Sequence, residues 1–506
     1  MILDEILNIL KRNSEAKAYT IGEKSYTYSE LYKYVANIYT YLLKENKEKK
    51  PVIVYGHKQI YMKAAFLACS FAGMTYVPID VSIPNERIEL IVNQVKPDII
   101  IGDLENNFKN FCKNVPQNEI YDIMENEKNQ EIEKIFMKPE DIYYIIFTSG
   151  STGIPKGVKV SYNNLDSCVN WLKEILGKEK QVILNQANFS FDLSVADLYL
   201  SIVTESEHFI IDEEKLDYEK IFKELQKSNA TLAVMTPSYA DLLLLDKKFS
   251  QELMPHLRKI IFCGEKLQNK IIQKLYERFE KLQIINSYGP TECTFAVTSY
   301  EVPREEDKQI SRICERDIYN KLAYDIDCYG EIPVGKAKKD VSIYILDENL
   351  QELPNGQIGE ILITGESVAS GYLGDVQNKS FITYKGEKAY LTGDLGYMKN
   401  GLVYYKERKD KQIKYKGYRI ELSDIENNIQ QLKYVEKTVV VAKKDDSGKI
   451  ISIFAFIKTD ETINKIKQDL KTKLPDYMMP KIKLIDSFPI NSNGKCDEKK
   501  LLEELV

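Results

Sequence analysis

Residues 148–157, Thr148-Ser149-Gly150-Ser151-Thr152-Gly153-Ile154-Pro155-Lys156-Gly157, pack four hydroxyls, three glycines and a lysine directly behind the apolar run Asp141–Phe147. Such a segment suits an anion. Glycines let the backbone approach phosphate oxygens, N–H and hydroxyl groups donate to them, and Lys156 adds charge. The spacing is not that of a G-x-x-x-x-G-K-[ST] loop, and the competing reading is a flexible Gly/Ser turn. A second segment, Asn286-Ser287-Tyr288-Gly289-Pro290-Thr291-Glu292, follows the run Gln283–Ile285. A tyrosine face can stack on adenine, an asparagine can read an exocyclic amine, and a glutamate beside phosphates is a Mg²⁺ ligand, since Mg²⁺ takes oxygen donors and keeps several waters. A Gly-Pro turn with polar neighbours is the alternative. In Tyr390-Leu391-Thr392-Gly393-Asp394, an aspartate at a strand end can accept two ribose hydroxyl protons; a plain turn aspartate competes. Two lysine-bearing stretches remain, Lys406–Glu421 and Pro489–Lys495. Charge runs are usually solvated faces or linkers, and Asn493-Gly494 makes a tight turn with Lys495 just past it.

The elements that must position these groups are short apolar runs alternating with helical stretches. Pro51–Tyr55, Thr75–Pro78, Asp98–Gly102, Asp141–Phe147, Gln181–Leu184, Thr231–Met235, Lys259–Phe262 and Gln283–Ile285 read as buried parallel strands, and Ile60–Ala72 as a helix between two of them. This predicts an α/β core of several βα units. After about residue 330 the runs Val341–Leu346, Gly359–Thr364, Lys388–Thr392 and Gly401–Tyr405 follow one another across Gly, Asn and Asp turns, which predicts a smaller antiparallel β subdomain. From 411 onward helical and strand patterns mix, as in a compact α+β terminal domain. No internal repeat or low-complexity linker interrupts the chain.

Bulk composition excludes several classes. The 506 residues carry a net charge of -6, which argues against nucleic-acid binding. No run of 18 or more apolar residues is present, so membrane insertion is not expected. The N-terminus reads as an amphipathic helix with Leu3, Ile6, Leu7, Ile9 and Leu10 on its apolar side, without the basic start of a signal peptide. Eight scattered cysteines without C-x-x-C spacing suggest reduced thiols in a cytoplasmic protein. The three histidines, His57, His208 and His256, are too few to favour a histidine-based metal or nucleophile site.

Taken in order, these segments resemble the motifs of amino-acid adenylation domains in the acyl-CoA synthetase, adenylation-domain and luciferase superfamily. Phe71–Asp80, Gly359–Tyr372 and Leu474–Pro480 agree with it, and the resemblance covers essentially the whole chain. Within the superfamily, Phe189–Val195, Thr236–Tyr239 and Phe262–Leu267 are most similar to the D-alanine–D-alanyl carrier protein ligase group.

The resemblance implies two half-reactions at one site. A carboxylate attacks the α-phosphate of ATP and releases pyrophosphate. The phosphopantetheine thiol of a separate carrier protein then attacks the acyl-adenylate. It implies an N-terminal core, 1–409, and a mobile C-terminal domain, 410–506, rotating about Asp410. Thr148 to Gly157 would hold the β- and γ-phosphates, Glu292 Mg²⁺, Asn286, Tyr288, Gly289 and Thr291 the adenine side, and Asp394 the ribose with Arg408 nearby. Lys495 would bridge the substrate carboxylate and the phosphate, and Gly417 would line the thiol's path. Glu407 stands where the family has glycine before Arg408. The acyl pocket would be lined by Asp192, Leu193, Ala196, Cys263, Ser287, Phe295 and Ala296. Asp192 would pair with a substrate ammonium, or it is a helix N-cap. Cys263 would crowd the α-carbon to favour a D-configuration, or it is a small core residue. Ala196, Phe295 and Ser287 replace the methionine, small aliphatic residue and threonine of the D-alanine group. A methylene in such a pocket is worth about 1–3 kcal/mol, so glycine, L-alanine, serine, cysteine and β-alanine stand beside D-alanine. A natural-product adenylation enzyme, an organic-acid CoA ligase and a nucleotide-binding descendant are the rival readings. The lysines of Lys406–Lys416 are a possible carrier-docking stretch, and Glu301–Gly330, with Cys314 and Cys328, is longer than the group's usual connection.

Overall fold

In the computed structural model the described residues are all but 13, 105–111, 127–130, 151–152, 213–216, 305–330, 375–378, 446–447, 490–495 and 506. They form two compact units: 1–80, 96–146 and 158–407 in the first, and 81–95, 147–157 and 408–506 in the second.

The first unit contains the expected βα core. Its largest sheet has a parallel centre in the order Gln283–Tyr288, Lys259–Phe262, Leu232–Met235, Val182–Asn185, Glu207–Ile210 and Lys17–Ile21. Antiparallel strands Thr298–Val302 and Lys24–Thr27 flank it. A second sheet places Ile99–Ile101, Val52–Gly56, Tyr76–Asp80 and Ile142–Thr148 side by side and parallel. The helix Ile60–Ala72 is buried along its whole length, as expected of a helix enclosed by its own core. The N-terminal helix Ile2–Leu10 buries Ile2, Leu3, Ile6, Ile9 and Leu10. The antiparallel β subdomain consists of Val341–Leu346, Gly359–Gly365, Phe381–Tyr384, Glu387–Lys399 and Leu402–Arg408. Two histidines are buried structural groups. His57 Nδ1 lies 2.9 Å from Asp80, and His208 Nε2 3.2 Å from Asp197.

The second unit has its own core, in which Ile420, Ile425, Ile429, Val440, Ala455, Ile457, Ile466 and Leu470 meet. These come from the hairpin Gln412–Tyr415/Tyr418–Glu421, the helix Leu422–Gln430, the sheet Lys437–Lys444/Ile450–Lys458/Lys481–Leu484 and the helix Ile463–Leu470. Arg87, from the helix Asn85–Val95, donates to Asp424 at 3.1 Å as a buried ion pair. Among the described residues no helix is long and apolar enough to cross a membrane.

Candidate nucleotide and amino-acid site

In the first unit the strand Gln283–Tyr288 runs past the apolar stretch ending at Ile285, because Thr298–Val302 pairs with it as far as Tyr288. Strand alternation directs Asn286 and Tyr288 to one face and Ser287 to the other. Asn286 Nδ2 donates to the Pro333 carbonyl at 2.8 Å, and the Tyr288 hydroxyl donates to Asp394 Oδ2 at 2.6 Å. Burial, and then the Asp394 charge, push the Tyr288 hydroxyl well above its ordinary pKa, so it stays a donor. Asp394 itself corrects the sequence reading. It lies not at a strand end but inside the single strand Glu387–Lys399. The pairing with Gly359–Gly365 shifts register between Glu360 and Leu362, and Gly393 there has φ +70°. Glu360 accepts from the Gly393 N–H and Thr392 Oγ1 from the Asp394 N–H, both at 3.0 Å. A bulge re-aims a side chain without ending the strand.

Beyond Tyr288 the chain turns at Gly289, where a Cβ would lie 2.6 Å from Ala296 Cα. Only glycine tolerates that approach. Thr291–Cys293 form one 3₁₀ turn. Thr294 and Phe295 follow at φ +58° and +67°, rare for β-branched and aromatic residues. Thr294 Oγ1 donates to the Ser367 carbonyl at 3.0 Å. Glu292 is 0% exposed, its Oε1 accepts from the Tyr372 hydroxyl at 2.6 Å, and its carbonyl accepts from the Ala369 N–H at 2.8 Å. Among the described residues no cluster of three or more His, Cys, Asp or Glu could hold a metal. A nucleotide-bound Mg²⁺ needs no such cage, because it takes one or two carboxylates with phosphate oxygens and water. One buried, hydroxyl-held carboxylate fits that donor set.

Five of the seven residues expected to line an acyl pocket share one core cluster. Leu193, Ala196, Cys263, Phe295 and Ala296 are buried in one hydrophobic cluster. Cys263 Sγ faces the Phe295 carbonyl at 3.9 Å. Ser287 is buried nearby in the sheet, since Phe262 and Asn286 are register partners. Its hydroxyl has no hydrogen-bond partner among the described residues. Asp192 occupies the N-cap position of the helix Leu193–Val203, yet its carboxylate makes no capping hydrogen bond.

The second unit carries the phosphate-type loop. Thr148 ends the strand Ile142–Thr148, and Lys156 starts Lys156–Ser161. Between them the Gly153 N–H donates to the Gly150 carbonyl at 3.0 Å. Ser151 and Thr152 lie outside the described residues, as does Lys495. Ser149 Oγ donates to the Arg419 carbonyl at 3.0 Å and accepts from the Glu421 N–H at 3.1 Å. Burial raises the Glu421 carboxyl, and the nearby charges of Arg419 and Lys156 partly oppose that. Arg408 grips Asp410 with two bonds, Nε to Oδ1 at 3.0 Å and Nη2 to Oδ2 at 2.6 Å. Burial works to raise the Asp410 carboxyl, but Arg408 outweighs it and holds it below its ordinary range. Lys416 and Gly417 have φ +53° and +84° between the paired Tyr415 and Tyr418, so the Gly417 hairpin closes on two left-handed residues. In the proposed docking stretch, Lys406 pairs with Glu331 and Lys411 with Glu498. The part of Glu301–Gly330 beyond residue 304 is outside the described residues.

Sequence reasoning missed Tyr372, Pro333 and the Ser149 bond. Tyr372 was within reach, because it ends the quoted segment Gly359–Tyr372 with a hydroxyl as the only polar side-chain group in Val368-Ala369-Ser370-Gly371-Tyr372 apart from Ser370.

Known proteins resemble this chain along its whole length. The family model for AMP-binding enzymes matches residues 8–373, and that for the AMP-binding enzyme C-terminal domain matches 424–495. D-alanine–D-alanyl carrier protein ligases of Bacillus licheniformis and of Listeria monocytogenes serovar 1/2a are each 37% identical, over 100% of this chain and 99% of theirs. The fold is similar to the Vibrio cholerae adenylation domain AlmE in complex with glycyl-adenosine-5′-phosphate, with TM-score 0.82 and 22% identity over 100% of this chain and 97% of that one. It is also similar to NpsA-ThdA, an artificially fused adenylation–PCP di-domain from Klebsiella oxytoca, with TM-score 0.80 and 20% identity over 95% and 93%. With both family models matched in order and relatives aligned from end to end, the chain belongs to the AMP-binding enzyme family and is an AMP-forming ligase.

Proposed function

We propose that this ligase activates a small amino acid, D-alanine first, as its adenylate and passes it to the phosphopantetheine thiol of a separate carrier protein in the cytoplasm. In the first half-reaction a substrate carboxylate oxygen bonds to the α-phosphorus of ATP, and the bond to pyrophosphate breaks. In the second the carrier thiolate bonds to the acyl carbon, and AMP leaves. The protein's part is positioning and charge neutralisation. Thr148–Gly157 donates to the β- and γ-phosphates. Asn286, Tyr288, Gly289 and Thr291 hold the adenine side. Asp394, fixed at one oxygen by Tyr288, keeps lone pairs for the ribose hydroxyls. Glu292 would hold Mg²⁺, which would neutralise phosphate charge when bound. Lys495 bridges the substrate carboxylate and the phosphate. Residues 410–506 turn about Asp410 between the half-reactions, bringing Gly417 to the thiol's path, and Arg408 stands near the ribose beside Asp394.

The observation that carries the amino-acid assignment is Asp192. It stands at the head of the helix that sends Leu193 and Ala196 into the buried cluster with Cys263, Phe295 and Ala296. A carboxylate there suits a substrate ammonium. The relatives named D-alanine ligases support D-alanine. A second reading, another small amino acid, is favoured by the buried Ser287 hydroxyl, which has no hydrogen-bond partner among the described residues, since a hydroxylated substrate would pair with it. ATP–pyrophosphate exchange across small amino acids of both configurations, with acetate, propionate and benzoate, tests both. Exchange with D-alanine alone is expected. Serine as the preferred substrate would establish the second reading. Exchange restricted to the amine-free acids would refute the role of Asp192.

A further inference from the structure

Glu292 is fully buried, and Tyr372 and Tyr390 are buried beside it. The Tyr372 hydroxyl lies 2.6 Å from Glu292 Oε1 and 3.3 Å from the Tyr390 hydroxyl. A hydroxyl has one proton. Since Tyr372 gives its proton to the carboxylate, it can only accept from Tyr390. The order is therefore Tyr390 to Tyr372 to Glu292. Both rings are locked by Phe381, which packs edge-on to Tyr372 at 5.3 Å and tilted against Tyr390 at 4.8 Å. The backbone on either side is fixed as well. Tyr372 bridges to Val158, the Lys159 N–H donates to the Gly371 carbonyl at 2.9 Å, and the Ser370 N–H donates to the Lys159 carbonyl at 2.7 Å. The same short segment, 367–372, also accepts from Thr294 and donates to the Glu292 carbonyl. The turn carrying Glu292 and the hydroxyl that grips its side chain thus hang on one support.

We propose that Tyr372 is a positioning residue for the cation: its hydroxyl, backed by Tyr390, fixes the rotation of the Glu292 carboxylate so that it meets Mg²⁺–nucleotide preorganised. This rests on the reading of Glu292 as the magnesium carboxylate. A carboxylate has about four lone-pair sites, so the Tyr372 bond at Oε1 is compatible with ligation of a cation. Partners that orient a metal ligand, when removed, typically lower metal affinity by about 10–100-fold.

The test uses the full chain and Mn²⁺ as probe. Mn²⁺ affinity is measured by electron paramagnetic resonance in the presence of α,β-methylene-ATP, alongside the Mg²⁺ concentration for half-maximal pyrophosphate exchange and the KM of the amino acid. Tyr372→Phe is expected to weaken Mn²⁺ binding and raise the Mg²⁺ requirement by about 10-fold or more, with the amino-acid KM within about twofold. Tyr390→Phe is expected to move both cation readouts in the same direction by a smaller factor. Cation readouts unchanged in Tyr372→Phe, with the amino-acid KM raised, would mean the hydroxyl only packs the pocket, and would overturn the proposal. Glu292→Gln separates the layers. If it abolishes Mn²⁺ binding while Tyr372→Phe does not change it, the proposal alone fails; if it leaves Mn²⁺ binding intact, the metal reading fails too. Should Tyr372→Phe not fold, Tyr390→Phe decides, and unchanged cation affinity there overturns the chain.

Discussion

The Glu292 turn and the loop 148–157 both present polar groups suited to a polyphosphate, but they are held in opposite ways. Around Glu292 the partners are side chains and backbone of the first unit. Tyr372, Ala369 and Ser367 fix the turn, and every group is buried. Around Ser149 the partners are two backbone groups of one strand, Arg419 and Glu421, some 270 residues on in sequence, and Ile154 at the loop tip is 48% exposed. Moreover, the Ser149 proton can serve the Arg419 carbonyl or a phosphate oxygen, but not both at once. The first region is fixed by its own unit; under the proposed function the second would have to exchange partners. A catalytic group that acts in the transition state would gain from the first arrangement, and a loop proposed to bind and release pyrophosphate would need the second.

Four substitutions break or sharpen that contrast. Glu292→Ala removes a preorganised charge and should lower pyrophosphate exchange by two to three decades, about 3–4 kcal/mol; a loss under tenfold would place Glu292 outside the chemistry. Asp192→Asn, in the same unit, should raise the amino-acid KM by roughly 100-fold, as expected when one member of a desolvated charge pair is lost at about 3 kcal/mol, while the ATP KM stays near its starting value. Ser149→Ala should have a smaller effect of a different kind. One neutral hydrogen bond contributes about 0.5–1.5 kcal/mol, so the ATP KM should rise by about 2–10-fold, and amide hydrogen exchange at Glu421 should speed up in the absence of nucleotide. Protection at Glu421 unchanged by the substitution would show that the loop is held by other contacts. Glu421→Gln should change least, and through pH. Burial raises this carboxyl above its ordinary 4.5, so the folded state binds the proton more tightly than the unfolded state. The stability it contributes is full below 4.5 and is lost as pH rises through the raised value. Thermal melts of Glu421→Gln should lack that decline, and an identical pH profile would show that the carboxyl is not the titrating group. Asp410 has the opposite sign. Arg408 holds it below its ordinary 3.8 despite burial, so its contribution is present above 3.8 and lost as the pH falls below it.

Much of the first region was legible in the sequence. The run Gln283–Ile285 before Asn286–Glu292, and the mostly apolar helix Ile60–Ala72, announce themselves through period and composition. What could not be read was how far a strand continues. Thr298–Val302 draws Asn286 to Tyr288 into the sheet, and Gly359–Gly365 pairs across a bulge that keeps Asp394 inside a strand. Both outcomes depend on which strand pairs alongside, and local propensity carries no information about that partner. The same limit applies to Asp192, whose type and position suit a cap and a pocket equally; it takes the N-cap position without making the cap bond.

By itself the sequence determined the chemistry available to this protein: a hydroxyl- and glycine-rich loop, a buried-strand scaffold, the acidic groups Glu292, Asp394 and Asp192, and the ordered motifs of its family. These follow from residue type and short-range spacing. The tertiary structure alone decided which groups hold one another: Tyr372 on Glu292, Tyr288 on Asp394, Arg408 on Asp410, and Ser149 on the Arg419–Glu421 strand. Apart from Arg408 on Asp410, each of these pairs joins residues about 80 or more apart in the chain. A hydrogen bond depends on distance and angle in space, and those are fixed only when the sheets have closed.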